Sequence, residues 1–192
     1  MPKLSGIAMK RLVKEWERLR DAPGDCADAV KGGPLAEEDM SVWSVKCTNL
    51  DHADASPSCK AVAMQLKEKG HEPAIEFRLH FPDEYPAEPP FVYVHSPLIT
   101  GGHIHGQGAM CLDVLHPAGW TPATKVDSLL RTIRSDLDNM ALKDNWFKSD
   151  GTLHCNSALC ARKTAEWIAR AHGDWAHARA EPHRPSKRPR AK

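Results

Sequence analysis

Residues 101–115, GGHIHGQGAMCLDVL, set one cysteine and two histidines among four glycines. A thiol there has three chemistries open to it: nucleophile through its thiolate, soft metal ligand, or small apolar filler of a core. The glycines permit positive φ and a close approach of backbone to a ligand. On composition alone, GQGAMCLDVL reads as a turn running into an apolar segment, with Cys111 packed inside. Metal-ligand types gather at His103, His105, Cys111 and His116, with His154, Cys155 and Cys160 further on. They contain no CxxC pair and no second spaced pair, which makes zinc the weakest of the three readings.

Two stretches bracket this loop. Prolines 82, 86, 89 and 90 in FPDEYPAEPPFV (81–92) fix φ and stiffen the chain as it leaves a strand, with Tyr85 the expected anchor. GWTPATKVDSLL (119–130) turns into a predicted helix that sets Val126, Leu129, Leu130, Ile133 and Leu137 on one face.

Other elements must hold these stretches in place. Leu4, Ala8, Leu12, Trp16 and Leu19 recur every three to four residues, which predicts an amphipathic helix from Ser5, stopped by Pro23 and Gly24. Its polar face carries Lys10, Arg11, Lys14, Glu15 and Arg18. Strands are predicted at 27–30, 40–47, 74–81 and 91–95. The third is the clearest, because Ile75, Phe77, Leu79 and Phe81 alternate with Glu76, Arg78 and His80. Residues 48–70 read as an enlarged hairpin connection containing a short helix in KAVAMQLKEKG. A final helix is predicted at 157–180, lined by Ala161, Ala165, Ile168 and Ala169. A helix, an antiparallel meander, then further helices make an α+β fold.

Composition bounds the function. The 192 residues are 41% apolar, enough for one core, and 26 basic against 25 acidic residues give no footprint for nucleic acid. The N-terminal segment lacks a signal peptide's apolar run, and no stretch approaches the roughly 20 apolar residues of a membrane span. Six cysteines read as free thiols in a reducing compartment. The expectation is a soluble cytoplasmic protein with one domain at 1–180 and a basic, disordered tail at 181–192, whose KRPR run would allow nuclear import.

In order and spacing, Tyr85-Pro86-Ala87-Glu88-Pro89-Pro90, GAMCLDVL at 108–115 and Trp120-Thr121-Pro122 resemble the ubiquitin-conjugating enzyme family. The likeness spans roughly residues 3–176 and is strongest over roughly 77–137. Conventional members carry His-Pro-Asn ten to eight residues before the cysteine, where this chain has Gly101-Gly102-His103. That departure resembles the Q-type branch, which shares the PPFV, the glycine pair, the Gly-Trp after the cysteine and a final helix similar to IARAHGDW. Relatives of that branch commonly carry a large N-terminal extension, which this chain is expected to lack.

The resemblance implies a UBC-like fold: N-terminal helix, four-stranded antiparallel meander, cysteine loop, crossover helix and C-terminal helices. It implies that Cys111 takes ubiquitin or a ubiquitin-like protein from an E1 activating enzyme as a thioester and passes it to a substrate lysine or an E3 ligase. It implies no metal, cofactor, nucleic acid or membrane. With an ordinary thiol pKa of about 8.5, little thiolate is present at neutral pH, which suffices when the incoming group is already a thioester. Stabilisation of the oxyanion, given to the asparagine in conventional members, would fall to a ring N–H of His103 or to backbone N–H groups of the glycine loop. Asp144 aligns with an acidic gate beside the incoming lysine once one inserted residue is allowed between Cys111 and Trp120, and Asp113 reads as structural. Partner contacts would come from Arg11, Lys14 and Glu15 on the first helix, from Ala87, and from Pro122 and Ala123. Ala87 replaces a phenylalanine frequent in conventional members, which puts the usual ligase types in question. The rival readings are a non-catalytic adaptor of this fold or of the related RWD type, and a zinc-binding interaction module.

Overall fold

The computed structural model describes residues 4–21, 30–36, 38–139, 141–144 and 156–166. Helix α1 (Gly6–Asp21) opens the described chain, its first turn capped by the Ser5 hydroxyl, which accepts from Ala8 N–H at 3.1 Å. It buries Ala8 and Leu12 and lays Trp16 edge-on against Trp43, ring centres 6.0 Å apart. Pro23 and Gly24, the expected stop, lie outside the described residues.

The first described strand overlaps the predicted one only at Val30. Strand β1 runs Val30–Ala36 through VKGGPLA, and residues 27–29 lie outside the described residues. Glycine and proline hide it from any alternation rule, yet both suit the place: β1 is a sheet edge, where proline is tolerated. A Cβ on Gly33 would sit 2.2 Å from the Trp16 ring, so only glycine lets α1 pack this close.

The remaining strands keep the predicted positions: β2 (Asp39–Cys47), β3 (Ile75–His80) and β4 (Phe91–Ser96). They complete an antiparallel sheet in the order β1-β2-β3-β4. Every second residue of β3 is buried, and Trp43 at the centre of β2 is wholly buried. The inner face, with Trp43, Val45, Phe77, Leu79, Val92 and Val94, joins one continuous core.

The connection at 48–70 is more than an excursion. Helix α2 (Pro57–Glu68) begins at an N-cap, Ser56, whose hydroxyl accepts from Cys59 N–H, with Pro57 in the first turn. It puts Cys59, Val62, Ala63 and Leu66 into the core. Helix α3 (Val126–Asn139) buries Val126, Leu129, Leu130, Ile133 and Leu137, the face predicted for it, and also Arg134. The Arg134 guanidinium reaches Thr48 and Asn49 carbonyls and pairs with Asp138, tying α3 to the chain before α2.

A short strand β5 (Ile99–Thr100) pairs antiparallel with β6 (Lys143–Asp144), so the chain after α3 returns beside the loop leaving β4. A fourth helix covers residues 158–166. Its Arg162 guanidinium stacks on Phe91, 4.8 Å from the ring centre, on the sheet's outer face. The rest of the predicted final helix, with Ile168 and Ala169, and the basic tail lie outside the described residues.

Candidate active site

The glycine-rich stretch folds as a hairpin against β4. Gly101 and Ile104 exchange both backbone hydrogen bonds at 2.9 Å across the two-residue turn Gly102-His103. Gly102 has φ +54°, which glycine adopts freely at the first central position of a hairpin turn. The ladder continues through Ile104↔Met110, and Ala109 pairs with Tyr93 of β4. Cys111 N–H donates to His103 carbonyl at 2.9 Å, which sets the two residues opposite each other at the hairpin's end.

Two of the glycines answer to neighbouring protein rather than to a ligand. At Gly101 (φ +132°) a Cβ would lie 2.2 Å from Ala141 O, and at Gly108 (φ +76°) 2.3 Å from Val94 O and 2.5 Å from Asn156 Nδ2. Asn156 is buried and locked in place: Nδ2 donates to Val94 O at 2.8 Å, and its own N–H donates to His95 O at 2.8 Å. The loop carrying Cys111 is thus wedged between β4 and the start of the last helix.

Cys111 is half-buried, while Cys47 and Cys59 are buried and Cys160 is exposed. Burial raises the Cys111 thiol pKa, and the nearby Asp113 charge raises it further. Both causes work against a resident thiolate. Such a thiol is slow toward stray electrophiles and still competent with an activated acyl donor. Asp113 is itself exposed and opens a 3-10 turn, Asp113–Leu115, where its carbonyl accepts from His116 N–H at 3.1 Å. Among the described residues, no three His, Cys, Asp or Glu side chains are gathered so as to hold a metal ion; His154 and Cys155 lie outside them.

His103 stands at the hairpin tip, its side chain 56% exposed, with Nδ1 2.7 Å from Asp136 Oδ1 of α3. An ionised carboxylate only accepts hydrogen bonds, so Nδ1 carries the hydrogen. In the neutral ring, Nε2 then has none to offer an oxyanion, and the expected N–H donation belongs to the imidazolium alone. Several loop N–H groups are also engaged with carbonyls, namely those of Gly101, Ile104, His105, Gly108, Met110 and Cys111. Asp136, which sequence reasoning missed, is one polar residue among several on the outer face of an amphipathic helix. Nothing in that pattern singles it out. Leu112, the residue after Cys111, lines an open groove of about 460 Å³ along this face together with Arg131, Thr132, Ser135, Asp136 and Asn139.

Asp144 is placed by its backbone, which pairs with Ile99 just before the glycine hairpin. The predicted partner residues fall on one connected region, apart from one. Arg11 donates to Thr124 O at 3.3 Å, joining α1 to the turn that exposes Pro122 and Ala123. Trp120 Nε1–H donates to Pro86 O at 2.8 Å, joining that turn to the proline strut beside the exposed Ala87. Lys14 is exposed. Glu15 is the exception, only 7% exposed. Its carboxylate accepts from Arg11, from Val126 N–H at the head of α3, and from Tyr85 O–H at 3.4 Å. It binds three elements together instead of facing a partner.

A four-stranded antiparallel meander with an N-terminal helix, a cysteine hairpin and a crossover helix is the UBC-type α+β fold. A solved ubiquitin conjugating enzyme E2 from Plasmodium falciparum superposes with a TM-score of 0.51 over 68% of this chain and 97% of its own, at 21% identity, a likeness of fold. The sequence profile of the ubiquitin-conjugating enzyme family matches residues 70–166, and the chain belongs to that family. Ubiquitin-conjugating enzyme E2 Q1 of Homo sapiens is 34% identical over 134 residues, 68% of this chain and 30% of the relative. Ubiquitin-conjugating enzyme E2 25 of Caenorhabditis elegans is 31% identical over 101 residues, 53% of this chain and 25% of the relative. The chain resembles the Q branch, and its matches span less than a third of the length of these two relatives.

Proposed function

We propose that this protein is an active ubiquitin-conjugating enzyme that carries ubiquitin or a ubiquitin-like protein as a thioester on Cys111 and transfers it to a lysine or to a ligase. The observation that carries the reading is the placement of Cys111: half-buried, at the end of a hairpin fixed by glycine contacts, and next in sequence to Leu112, which lines an open groove on α3. An adaptor would have no need of a cysteine held in that way. The E1 activating enzyme and the E3 ligase meet the connected surface formed by Arg11, Lys14, Ala87, Pro122 and Ala123. Asp144 acts as the acidic group beside an incoming lysine, a role supported by its backbone position next to β5.

In the loading step the Cys111 thiolate attacks the thioester of the charged activating enzyme, and the modifier's carbonyl carbon passes from one sulfur to the other. In the discharge step a neutral amine attacks that carbon, a C–N bond forms, and the C–S bond breaks to return Cys111. The test is charging with activating enzyme, ATP and ubiquitin. The expected result is a ubiquitin adduct that reductant removes and that Cys111→Ala lacks; absence of any adduct with ubiquitin and the ubiquitin-like proteins would favour the adaptor.

A further inference from the structure

In discharge, the attacking amine must give up a proton as the C–N bond forms, and something beside the sulfur has to take it. Cys111 N–H donates to the His103 carbonyl at 2.9 Å, which holds the two backbones side by side where the hairpin turns. The His103 ring is exposed on one side and held on the other by Asp136 at 2.7 Å. Asp136 is 17% exposed, and its second oxygen, Oδ2, is buried with no hydrogen-bond partner. The carboxylate is therefore committed to His103. The other charges nearby are differently engaged: Arg131 pairs with Asp127 along α3 at 3.7 Å, and Asp113 is exposed beyond Cys111.

We propose that Asp136 is a positioning residue: by accepting the Nδ1 hydrogen of His103 it fixes the tautomer whose Nε2, on the ring's far edge, is a proton acceptor beside Cys111. The inference rests on the thioester reading of Cys111. In the step it describes, the amine nitrogen bonds to the thioester carbon and its proton passes to Nε2. The tetrahedral intermediate then expels the Cys111 sulfur, and the imidazolium returns the proton to that sulfur. The amide, the free thiol and the neutral ring are the balanced products. While it lasts, the imidazolium faces the Asp136 carboxylate and presents an Nε2–H to the oxyanion, the task an asparagine performs in conventional members. The arrangement explains how a loop reading Gly-Gly-His can serve in place of His-Pro-Asn.

The experiment measures discharge, not loading. Wild type, Asp136→Asn, His103→Ala and the double variant are each charged, separated from activating enzyme, and chased with free lysine, with the rate expressed per loaded enzyme. In Asp136→Asn the side chain can either accept from Nδ1 or donate to it, so the tautomer with a free Nε2 acceptor is no longer fixed. Discharge is expected to fall about tenfold or more at saturating lysine, with the lysine concentration for half-maximal rate unchanged. The double variant is expected to be no slower than His103→Ala, because Asp136 acts only through the ring. Equal rates for wild type and Asp136→Asn, a loss confined to the lysine concentration for half-maximal rate, or additive losses in the double variant would overturn the proposal. Asp136→Ala, which removes the acceptor without supplying any other polar atom, guards against an artefact of the amide and is expected to fall in the same way. Failure of the wild type to load at all would instead refute the thioester reading, so the two failures are distinguishable.

Discussion

Replacing Glu15 with alanine is expected to cost more stability than any exposed change on α1, although the sequence reads Glu15 as a surface residue. The carboxylate is 7% exposed and accepts from Val126 N–H, Tyr85 O–H and Arg11. The Val126 N–H is an orphan donor at the head of α3, and losing a charged acceptor there costs about 1.5–3 kcal/mol. The Tyr85 bond is long at 3.4 Å and adds under about 1 kcal/mol. Arg11, with 31% of its side chain exposed, regains water and adds at most about 1 kcal/mol. The total is about 1.5–5 kcal/mol, or about 3–20 °C in Tm for a domain of this size. Glu15→Gln keeps an acceptor without the charge and should lose about 1–2 kcal/mol. Urea and thermal unfolding read both. Lys14→Ala is the counterpart, expected to leave stability within about 0.5 kcal/mol while slowing charging. A Glu15→Ala variant as stable as Lys14→Ala, yet defective in charging, would return Glu15 to the partner surface.

Three other outcomes follow from the same geometry. The His80 pKa is pushed down from its ordinary 6.5 to about 4, first by burial and then by Arg162 and Arg78. Because the unfolded ring takes its proton first, stability should be full above pH 6.5 and fall as pH drops toward 4, by about 1–2 kcal/mol after screening of a half-exposed ring, and His80→Gln should flatten that slope. Asp113→Asn removes the secondary cause that raises the Cys111 thiol pKa, so iodoacetamide should alkylate the variant faster at low salt, with the difference shrinking at high salt; an unchanged rate would assign the whole effect to burial. Gly108→Ala forces a Cβ to within 2.3 Å of Val94 O at φ +76° and should cost about 2–4 kcal/mol, whereas Gly106→Ala, with nothing within 4 Å, should be nearly neutral by the same unfolding assay.

The sequence discloses those parts of the fold in which one residue's chemistry decides its place. The alternation of β3 and the apolar face of α3 are visible because burial there follows a simple period. β1 is hidden because its residues are chosen for close approach, Gly33 under the Trp16 ring and Pro34 at a sheet edge, and not for burial of their own side chains. α2 carries an N-cap and a core face that a polar flanking run obscures. At the site, Cys111 and the glycine hairpin are legible from their types and spacing. Asp136 and Asn156 are not, since each matters through contacts made across the fold, Asp136 with His103 and Asn156 with Val94 and His95. The misplacement of Glu15 has the same origin: helical periodicity puts it between exposed lysines and arginines, and only the arrival of α3 and Tyr85 buries it.

If Cys111 carries the acyl group, the adduct can be located on it. After charging with activating enzyme, ATP and ubiquitin, intact mass followed by peptide mapping without reductant should place one modifier on the peptide containing Cys111. Cys111→Ser should convert the linkage to an ester that resists reductant. An adduct mapped to the exposed Cys160, or charging that survives Cys111→Ala, would contradict the account.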